Sequence, residues 1–408
     1  MPVDPNDTDL DHFRARARAW LAEHAPHHFT RTEDQPEYWA ETRRFQILQH
    51  AAGFAGITWP ERYGGQGLTP AHQTVFNEEA GPYELPSVGF QITLAILGMT
   101  LLDYGTEQQK QHYLSEMLRG QALWVQLLSE PGAGSDLAAL RTRAERDGGT
   151  WILNGEKVWS SYAQWSDYAV VLARSDWDVA KHSGLATFIV PLNAPGITVL
   201  PLKQLTGDDE FCQVFLDNVT VPADALLGED RGGWKVATSM FDHSRAMTSG
   251  AGRTGPVFQA ERGGEADPAR DLINLVNATG RGGDPAVRQL VAEAVVGNVV
   301  SGLLATRVAE DPNAHPAAGT MAKMFGAETV QRRREIELIL RGEGVMAWRT
   351  GDETASRAVF DYLRGRTASV AGGTTEVMKN GIGERILGLP REPSTDKNRP
   401  FRQAIRPR

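Results

Sequence analysis

The sequence has 408 residues, with 42 Lys and Arg against 51 Asp and Glu, and a formal charge of −9. With 41% hydrophobic and 23% charged residues it has the balance of a folded globular protein rather than a disordered chain, and its length suits one large domain or two or three fused subdomains. An acidic excess without any Lys/Arg block argues against nucleic acid or an anionic membrane as the main partner, and the single cysteine, Cys212, excludes an internal disulfide and a cysteine-rich metal site.

Residues 1–11 are acidic and lack the apolar stretch of a secretion signal, so a cytoplasmic location is expected. The first 120 residues read as helices with short breaks. Thr69-Pro70 supplies a cap and a first-turn proline, and Thr106 with Gln109 forms a capping box for a helix running to Gly120. The apolar run 88–102 contains Gln91 and Thr93 and falls short of the roughly 20 residues of a membrane span, so it reads as a buried core helix. From about 122 to 222 the pattern changes to short β-branched runs at 123–128, 151–153, 168–172, 186–190, 197–200 and 214–216. Turn chemistry separates them, including Asp147-Gly148-Gly149 and Asn154-Gly155. This predicts a compact antiparallel sheet or small barrel without βαβ alternation. Helical periodicity returns after Gly228, with helices expected at 233–250, 268–280, 285–310, 316–341 and 374–387 and breaks at 263–268, 280–285 and 310–316. The basic, proline-containing stretch 390–408 reads as an extended tail crossing a neighbouring surface.

Three segments carry chemistry. In Trp124-Val-Gln-Leu-Leu-Ser-Glu-Pro-Gly-Ala-Gly-Ser-Asp136 a strand expected to end at Ser129 runs into a turn with Gly132, Gly134, Ser135 and Asp136. Such a turn exposes backbone N–H groups and a hydroxyl able to hold an anion such as a diphosphate, although alone it reads more readily as a plain β-turn. In Asn154-Gly-Glu-Lys-Val-Trp-Ser-Ser161 a hairpin turn at Asn154-Gly155 is expected to lead into a strand bearing Trp159, Ser160 and Ser161; a tryptophan there is ordinarily core packing. Ala371-Gly-Gly-Thr-Thr-Glu376 alone reads as a flexible loop and helix cap.

Together and in this order the three segments resemble the acyl-CoA dehydrogenase family of FAD flavoproteins, over nearly the whole chain. Ser129-Glu-Pro to Gly134-Ser-Asp136 resembles the family signature Thr/Ser-Glu-Pro-x-x-Gly-Ser-Asp, and Asn154-Gly155 to Trp159 its Asn-Gly-x-Lys-x-Trp strand. The block from Gly372-Gly373-Thr374-Thr375 to Glu384-Arg385-Ile-Leu-Gly388 is similar to the family's C-terminal block, and Pro201 to Pro222 to its β-domain exit. The resemblance implies an α+β fold: an N-terminal helical domain (1–121), a middle antiparallel β-domain (122–228), a C-terminal four-helix-bundle domain (229–390) and the tail (391–408). It also implies FAD as cofactor. Gln126, Leu128 and Ser129 would line the flavin ring, Gly134 and Ser135 would hold the diphosphate, Trp159 would cover one ring face and Ser161 would bond its pyrimidine side. Thr374 and Glu376 match positions that contact FAD, often that of a neighbouring subunit. Asp242 and Arg245 match positions near the thioester's pantetheine and the catalytic pocket, to which Met240, Phe241, Met247 and Trp348 are further candidates.

Family members remove the α-proton of an acyl thioester with a glutamate while the flavin accepts the β-hydrogen as hydride. That glutamate stands at one of two places, and here those places hold Gly372 and Ser244. No catalytic base is therefore assigned. Gly372 still supplies the backbone N–H that polarises the thioester carbonyl in the family. Asp242 and His243 lie about 200° and 100° around the helix from Ser244 and point elsewhere. Three readings follow: an FAD enzyme dehydrogenating an acyl thioester (CoA- or carrier-protein-linked) with an atypical or partner-supplied base; a base-less subunit of a hetero-oligomer, as in some actinobacterial-type members; or a flavin oxygenase or oxidase on the same scaffold. The expected electron acceptor is an electron-transfer flavoprotein or O₂, and the expected assembly a homodimer, homotetramer or hetero-oligomer with a related chain.

Overall fold

The computed structural model describes residues 9–25, 36–83, 85–248, 268–311, 315, 318–347, 349, 351–393, 396 and 398–404. The chain opens with α1 (Leu10–His24), α2 (Pro36–Ala51) and α3 (Pro70–Ala80). Phe13, Ala17 and Leu21 recur every four residues, so one face of α1 is apolar and buries against Phe54, Val75 and Phe76. Arg14 and Arg18 of α1 fasten the same pair of helices to Glu79 of α3 at 2.9 and 2.8 Å. Next come α4 (Val88–Tyr104), widened to π turns over Gln91–Gly98, and α5 (107–118). The capping box expected at Thr106 is present, its backbone N donating to Gln109 Oε1 at 2.9 Å and its hydroxyl accepting from Gln109 N at 3.2 Å. As expected, α4 is a core helix: Phe90, Leu94, Ile96, Leu97 and Leu101 are buried between the sheet and the C-terminal helices.

The middle block is a seven-stranded sheet: β1 (Trp124–Leu127), β2 (Arg143–Asp147), β3 (Thr150–Ser161), β4 (Tyr168–Arg174), β5 (Leu185–Pro191), β6 (Ile197–Pro201) and β7 (Phe211–Pro222). The order is β1-β4-β2-β3-β7-β6, with β5 also on β4. Most pairings are antiparallel, but β1 runs parallel to β4 and β2 meets β4 in parallel at Arg143 and Arg174. One face packs Leu127, Leu153, Val171, Phe188 and Val214 into an apolar core.

Two expectations need correction here. The Asn154-Gly155 pair is no hairpin turn. It lies inside the continuous strand β3 at a shift of register against β7, and the turn sits at Gly148-Gly149, between β2 and β3. Asn154 is occupied across the ladder, accepting from Asn218 N at 2.9 Å, and a Cβ on Gly155 would run into Thr142. The glycine thus serves close approach of two backbones rather than a turn. Strand β1 also stops at Leu127, short of Ser129.

The C-terminal block contains α6 (Gly233–Thr248), α7 (Pro268–Ala278), α8 (Pro285–Glu310), α9 (Ala318–Arg341), α10 (Glu353–Gly365) and α11 (Thr375–Arg385). The expected end of α6 at 250, the break at 263–267 and Trp348 lie outside the described residues. Leu272, Val287, Ala294, Ile336 and Leu340 join α7, α8 and α9, and Arg332 of α9 grips Glu293 of α8 at 2.7 and 3.0 Å. By length and composition alone Pro285–Val308 could cross a bilayer; in the structure it packs against α9 through Val287 and Ala294 and through Glu293 with Arg332. Its outer side leaves Val296, Val299 and Leu303 more than half exposed. Arg364 of α10 reaches Glu210, before β7, at 2.6 Å and ties this block to the sheet. The tail is not wholly extended: α12 (Phe401–Ala404) rests on the β4–β5 loop of the same chain.

Candidate functional site

The Ser-Glu-Pro segment leaves β1 beside β3, where Val158 N donates to Ser129 O at 2.9 Å. Glu130 and Ala133 exchange backbone bonds of 3.1 and 3.0 Å, closing a tight turn that presents Gly134, Ser135 and Asp136 to solvent. The turn is held from behind. Glu130 folds its carboxylate inward, accepting from Arg141 N and Thr142 N at 2.7 Å each and from Lys157 Nζ at 3.1 Å, while Lys157 also donates to Leu128 O at 2.9 Å. Lys157 is fully buried, and burial pushes its ammonium down to about 8 against the pull of Glu130. Burial works to raise the Glu130 carboxyl, but Lys157 and the N–H donors outweigh it and hold it below the usual range. The Glu-Pro and Lys of the two motifs therefore anchor each other across strands.

Trp159 sits where the register between β3 and β7 shifts again, with φ at 64°. A left-handed non-glycine residue at a bulge re-aims its side chain, at a cost of order 1–3 kcal/mol. The result is a tryptophan 61% exposed, edge-on to Phe211 at 6.0 Å, in a protein that buries Trp39, Trp59, Trp124 and Trp151 to 4% or less. Ser160 is buried and Ser161 half-buried. Gln126 is half-buried on β1, Leu128 buried, and a Cβ on Gly134 would meet nothing within 4 Å. An exposed indole beside an open glycine-serine turn fits a flat aromatic cofactor carrying a diphosphate. Of the expected FAD residues, Gln126, Leu128, Ser129, Gly134 and Ser135 lie on β1 and the turn that follows it, Trp159 and Ser161 lie on β3, and the Val158 N–Ser129 O bond joins the two segments.

A second group forms among the helices. Asp242, Ser244 and Arg245 lie on α6, which docks on α4 through Ser239 Oγ and His243 Nε2, each 2.8 Å from Asp103 Oδ2. His243 is thus turned away from Ser244, and Asp242 is exposed and bound to Arg245 at 3.0 Å. Gly372, with φ at 68°, precedes Thr374, which caps α11 by accepting from Val377 N at 3.2 Å; Glu376 is exposed. A Cβ built on Gly372 would stand 4.0 Å from Ser244 Oγ. The two positions at which a base was expected, far apart in sequence, face one another. Met240 is fully buried in the core, and Phe241 and Met247 are half-buried against it.

One residue of this group was not singled out from sequence. Lys323 of α9 donates to Gly373 O at 3.0 Å, and burial, then the charge of Arg245, pushes its ammonium down to about 8. The available signal was a lone lysine in the apolar stretch Met321-Ala-Lys-Met-Phe325.

Three family models together match most of the chain: acyl-CoA dehydrogenase, N-terminal domain, at residues 7–121; middle domain, at 126–219; and C-terminal domain, at 231–387. The chain belongs to the acyl-CoA dehydrogenase family. Acyl-CoA dehydrogenase IpdE1 of Mycobacterium tuberculosis is 34% identical over 394 residues, 94% of this chain and 99% of that protein. Among solved structures, the Tcur3481-Tcur3483 steroid ACAD matches at 27% identity and a TM-score of 0.76, covering 96% of this chain and 100% of that one. The ChsE4-ChsE5 complex from Mycobacterium tuberculosis matches at 26% identity and a TM-score of 0.75, with 96% and 100% covered. Acyl-CoA dehydrogenases are FAD-binding oxidoreductases acting on acyl thioesters in lipid metabolism, and the exposed Trp159 and the Gly134-Ser135 turn fit that cofactor.

Proposed function

We propose that this chain is the flavin- and thioester-holding member of a two-chain acyl-CoA dehydrogenase, completed by a related partner that supplies the α-proton acceptor. The observation that carries this reading is the approach of Ser244 Oγ to Gly372: both customary base positions converge on one point, and neither bears a carboxylate. Among the described residues, Asp242 is bound to Arg245, His243 is bound to Asp103 and Glu376 is exposed, so none of these three is set to stand in. Two of the similar structures are two-chain complexes by name, one of them acting on steroids, which supports a paired assembly and makes a polycyclic acyl group the first class to test. The stripe Val296, Val299, Leu303, at i, i+3 and i+7 on the outer side of α8, gives a partner of this kind an apolar surface.

In this reading the chain's own residues bind and orient. Gly134 and Ser135 hold the diphosphate, Gln126, Leu128, Ser129 and Ser161 border the ring, and the indole of Trp159 covers one face. Thr374 and Glu376 contact FAD, and Asp242 and Arg245 flank the pantetheine. The Gly372 N–H polarises the thioester carbonyl; a single donor of this kind is worth about 10²–10³ in rate. FAD, when bound, supplies the acceptor for the β-hydrogen. An electron-transfer flavoprotein as the onward acceptor and a cytoplasmic location belong to the same proposal. The test is co-expression with a related dehydrogenase chain. The pair should co-purify yellow and turn over a CoA or carrier-protein thioester, whereas the chain alone should bind thioester without turnover. A homo-oligomer of this chain that turns over unaided would overturn the proposal. Oxygen uptake with a hydroxylated product would replace it with the oxygenase reading.

A further inference from the structure

The C-terminal segment makes two sets of contacts that both lead to the glycine-serine turn. On the β4–β5 loop, Phe401 N donates to Val179 O at 2.8 Å, Arg402 N donates to Trp177 O at 2.9 Å, and Arg402 Nε meets Asp178 Oδ1 at 3.0 Å. Phe401, almost fully buried, lays its ring over the guanidinium of Arg174, with 3.6 Å from Cζ to the ring centroid. Arg174 is itself buried and spends its donors on three carbonyls: Ala138 at 2.5 Å, Lys181 at 3.0 Å and Leu140 at 3.2 Å. Ala138 and Leu140 lie in the turn that follows Asp136 directly. By the second route, Asp396 accepts from Lys181 Nζ at 2.8 Å, and the same ammonium bonds both carboxylate oxygens of Asp136 at 3.0 and 2.9 Å. Asp136 is the neighbour of Ser135.

We infer that Asp396 and residues 398–404 act as a strap that positions the Gly134–Ser135 turn for the cofactor's diphosphate, acting through Arg174 and Lys181. The inference rests on the reading that this turn holds the diphosphate. The physical ground is that Gly134 has open space around it and the turn is exposed, so little on its solvent side fixes it. What fixes it lies behind: the Glu130–Lys157 anchor on one side, and Arg174 and Lys181 on the other. A guanidinium buried without a carboxylate partner in its hydrogen-bond set depends on the aromatic face that covers it, because such a cation–π contact is strong only when desolvated. Removing Phe401 opens Arg174 to water and loosens its hold on Ala138 and Leu140. Removing the Asp396 carboxylate leaves Lys181 free to reorient away from Asp136. Phe401 and Asp396 are thus positioning residues that need not touch the cofactor.

The test measures FAD affinity of the full chain by flavin fluorescence, and the melting temperature of the apoprotein, for Phe401→Ala, Asp396→Asn, Ser135→Ala and the double variant Phe401→Ala/Ser135→Ala. Phe401→Ala should weaken FAD about tenfold, Phe401→Trp should restore most of the affinity, and Asp396→Asn should weaken it by about threefold. The double variant should be weakened by less than the product of the single effects, as expected when both act on one turn. If Ser135→Ala weakens FAD while Phe401→Ala and Asp396→Asn leave affinity unchanged, the strap is wrong. It is equally wrong if they lower only the melting temperature, or if the effects of Phe401 and Ser135 multiply independently. If Ser135→Ala has no effect, the diphosphate reading itself has failed. Should Phe401→Ala not fold, Phe401→Leu and Asp396→Asn carry the same comparison.

Discussion

Ser244 and Gly372 offer a carboxylate the same destination but unequal footing. Ser244 is on the regular helix α6, where a glutamate is accommodated without backbone strain, whereas Gly372 has φ at 68°, which costs a non-glycine side chain about 1–3 kcal/mol. Ser244→Glu should therefore raise the rate of anaerobic flavin bleaching by a thioester roughly 100-fold or more. Gly372→Glu should give a smaller gain and a lower melting temperature. Equal gains with unchanged stability would contradict this ranking. Lys323 sets the second prediction at this scale. Its ammonium, lowered to about 8 by burial and then by Arg245, is the charged donor to Gly373 O. Between about pH 8 and its ordinary value near 10.5 the unfolded chain keeps a proton that the folded chain has lost, so this group makes the fold more stable as pH rises through that window. The loop loses its charged anchor over the same range. Thioester affinity should fall as pH rises through about 8, and Lys323→Arg should abolish that step; a step that persists in the arginine variant would exclude Lys323 as its source. That neither 244 nor 372 holds a carboxylate was legible, because Arg245 and the Gly373-Thr374 block mark the two positions. Lys323 was not, because its importance lies in a carbonyl fifty residues away in sequence.

Among the elements, β3 carries Trp159 and Ser161 of the expected site, and the pair formed by Lys157 and Glu130 joins it to the Ser-Glu-Pro turn. Removing one member of a buried pair leaves the other charge uncompensated, so Lys157→Met should destabilise the protein by about 3–5 kcal/mol and release FAD. Urea unfolding together with flavin content would check this; a variant that stays yellow with an unchanged midpoint would refute it. Glu130 brings a matching acid sensitivity: its carboxyl lies below the ordinary value near 4.5, so its contribution is present above that value and disappears as pH falls through the lower folded one. The apolar strands were legible because their β-branched runs stand between turn residues. Strand β2, Arg143-Ala-Glu-Arg-Asp147, was not, since only Ala144 is buried and the charges conceal a strand paired on both sides. The Asn154-Gly155 pair misled for the opposite reason: it is a strong hairpin signal locally, overridden by a ladder to β7 that no short window contains. Helix α10 was not expected either, although Asp352 caps it by accepting from Ala355 N at 3.0 Å and apolar residues recur at 355, 358, 359 and 362.

At the level of the whole molecule, the order helical, β, helical was legible because the hydrophobic period changes twice along the chain. How the blocks meet was not, since Arg364 with Glu210, or Phe401 with Arg174, are pairings between distant residues. The outer stripe of α8 bears on assembly. A carboxylate placed there would be buried unpaired against an apolar partner, so Val299→Asp/Leu303→Asp should shift the assembly to a smaller mass by light scattering, without loss of FAD from the sheet. An unchanged mass would remove this face from the interface. In the proposed reading this chain holds a flavin beside Ser244 and Gly372, two facing positions that bear no carboxylate. The most direct measurement is the visible spectrum of the purified wild-type chain, alone and free of oxygen, as a thioester is added. The expected result is a yellow protein whose bands shift on binding but do not bleach, while Ser244→Glu bleaches under the same conditions. A colourless chain that takes up no added FAD, or a wild-type chain that bleaches as fast as the glutamate variant, would contradict it.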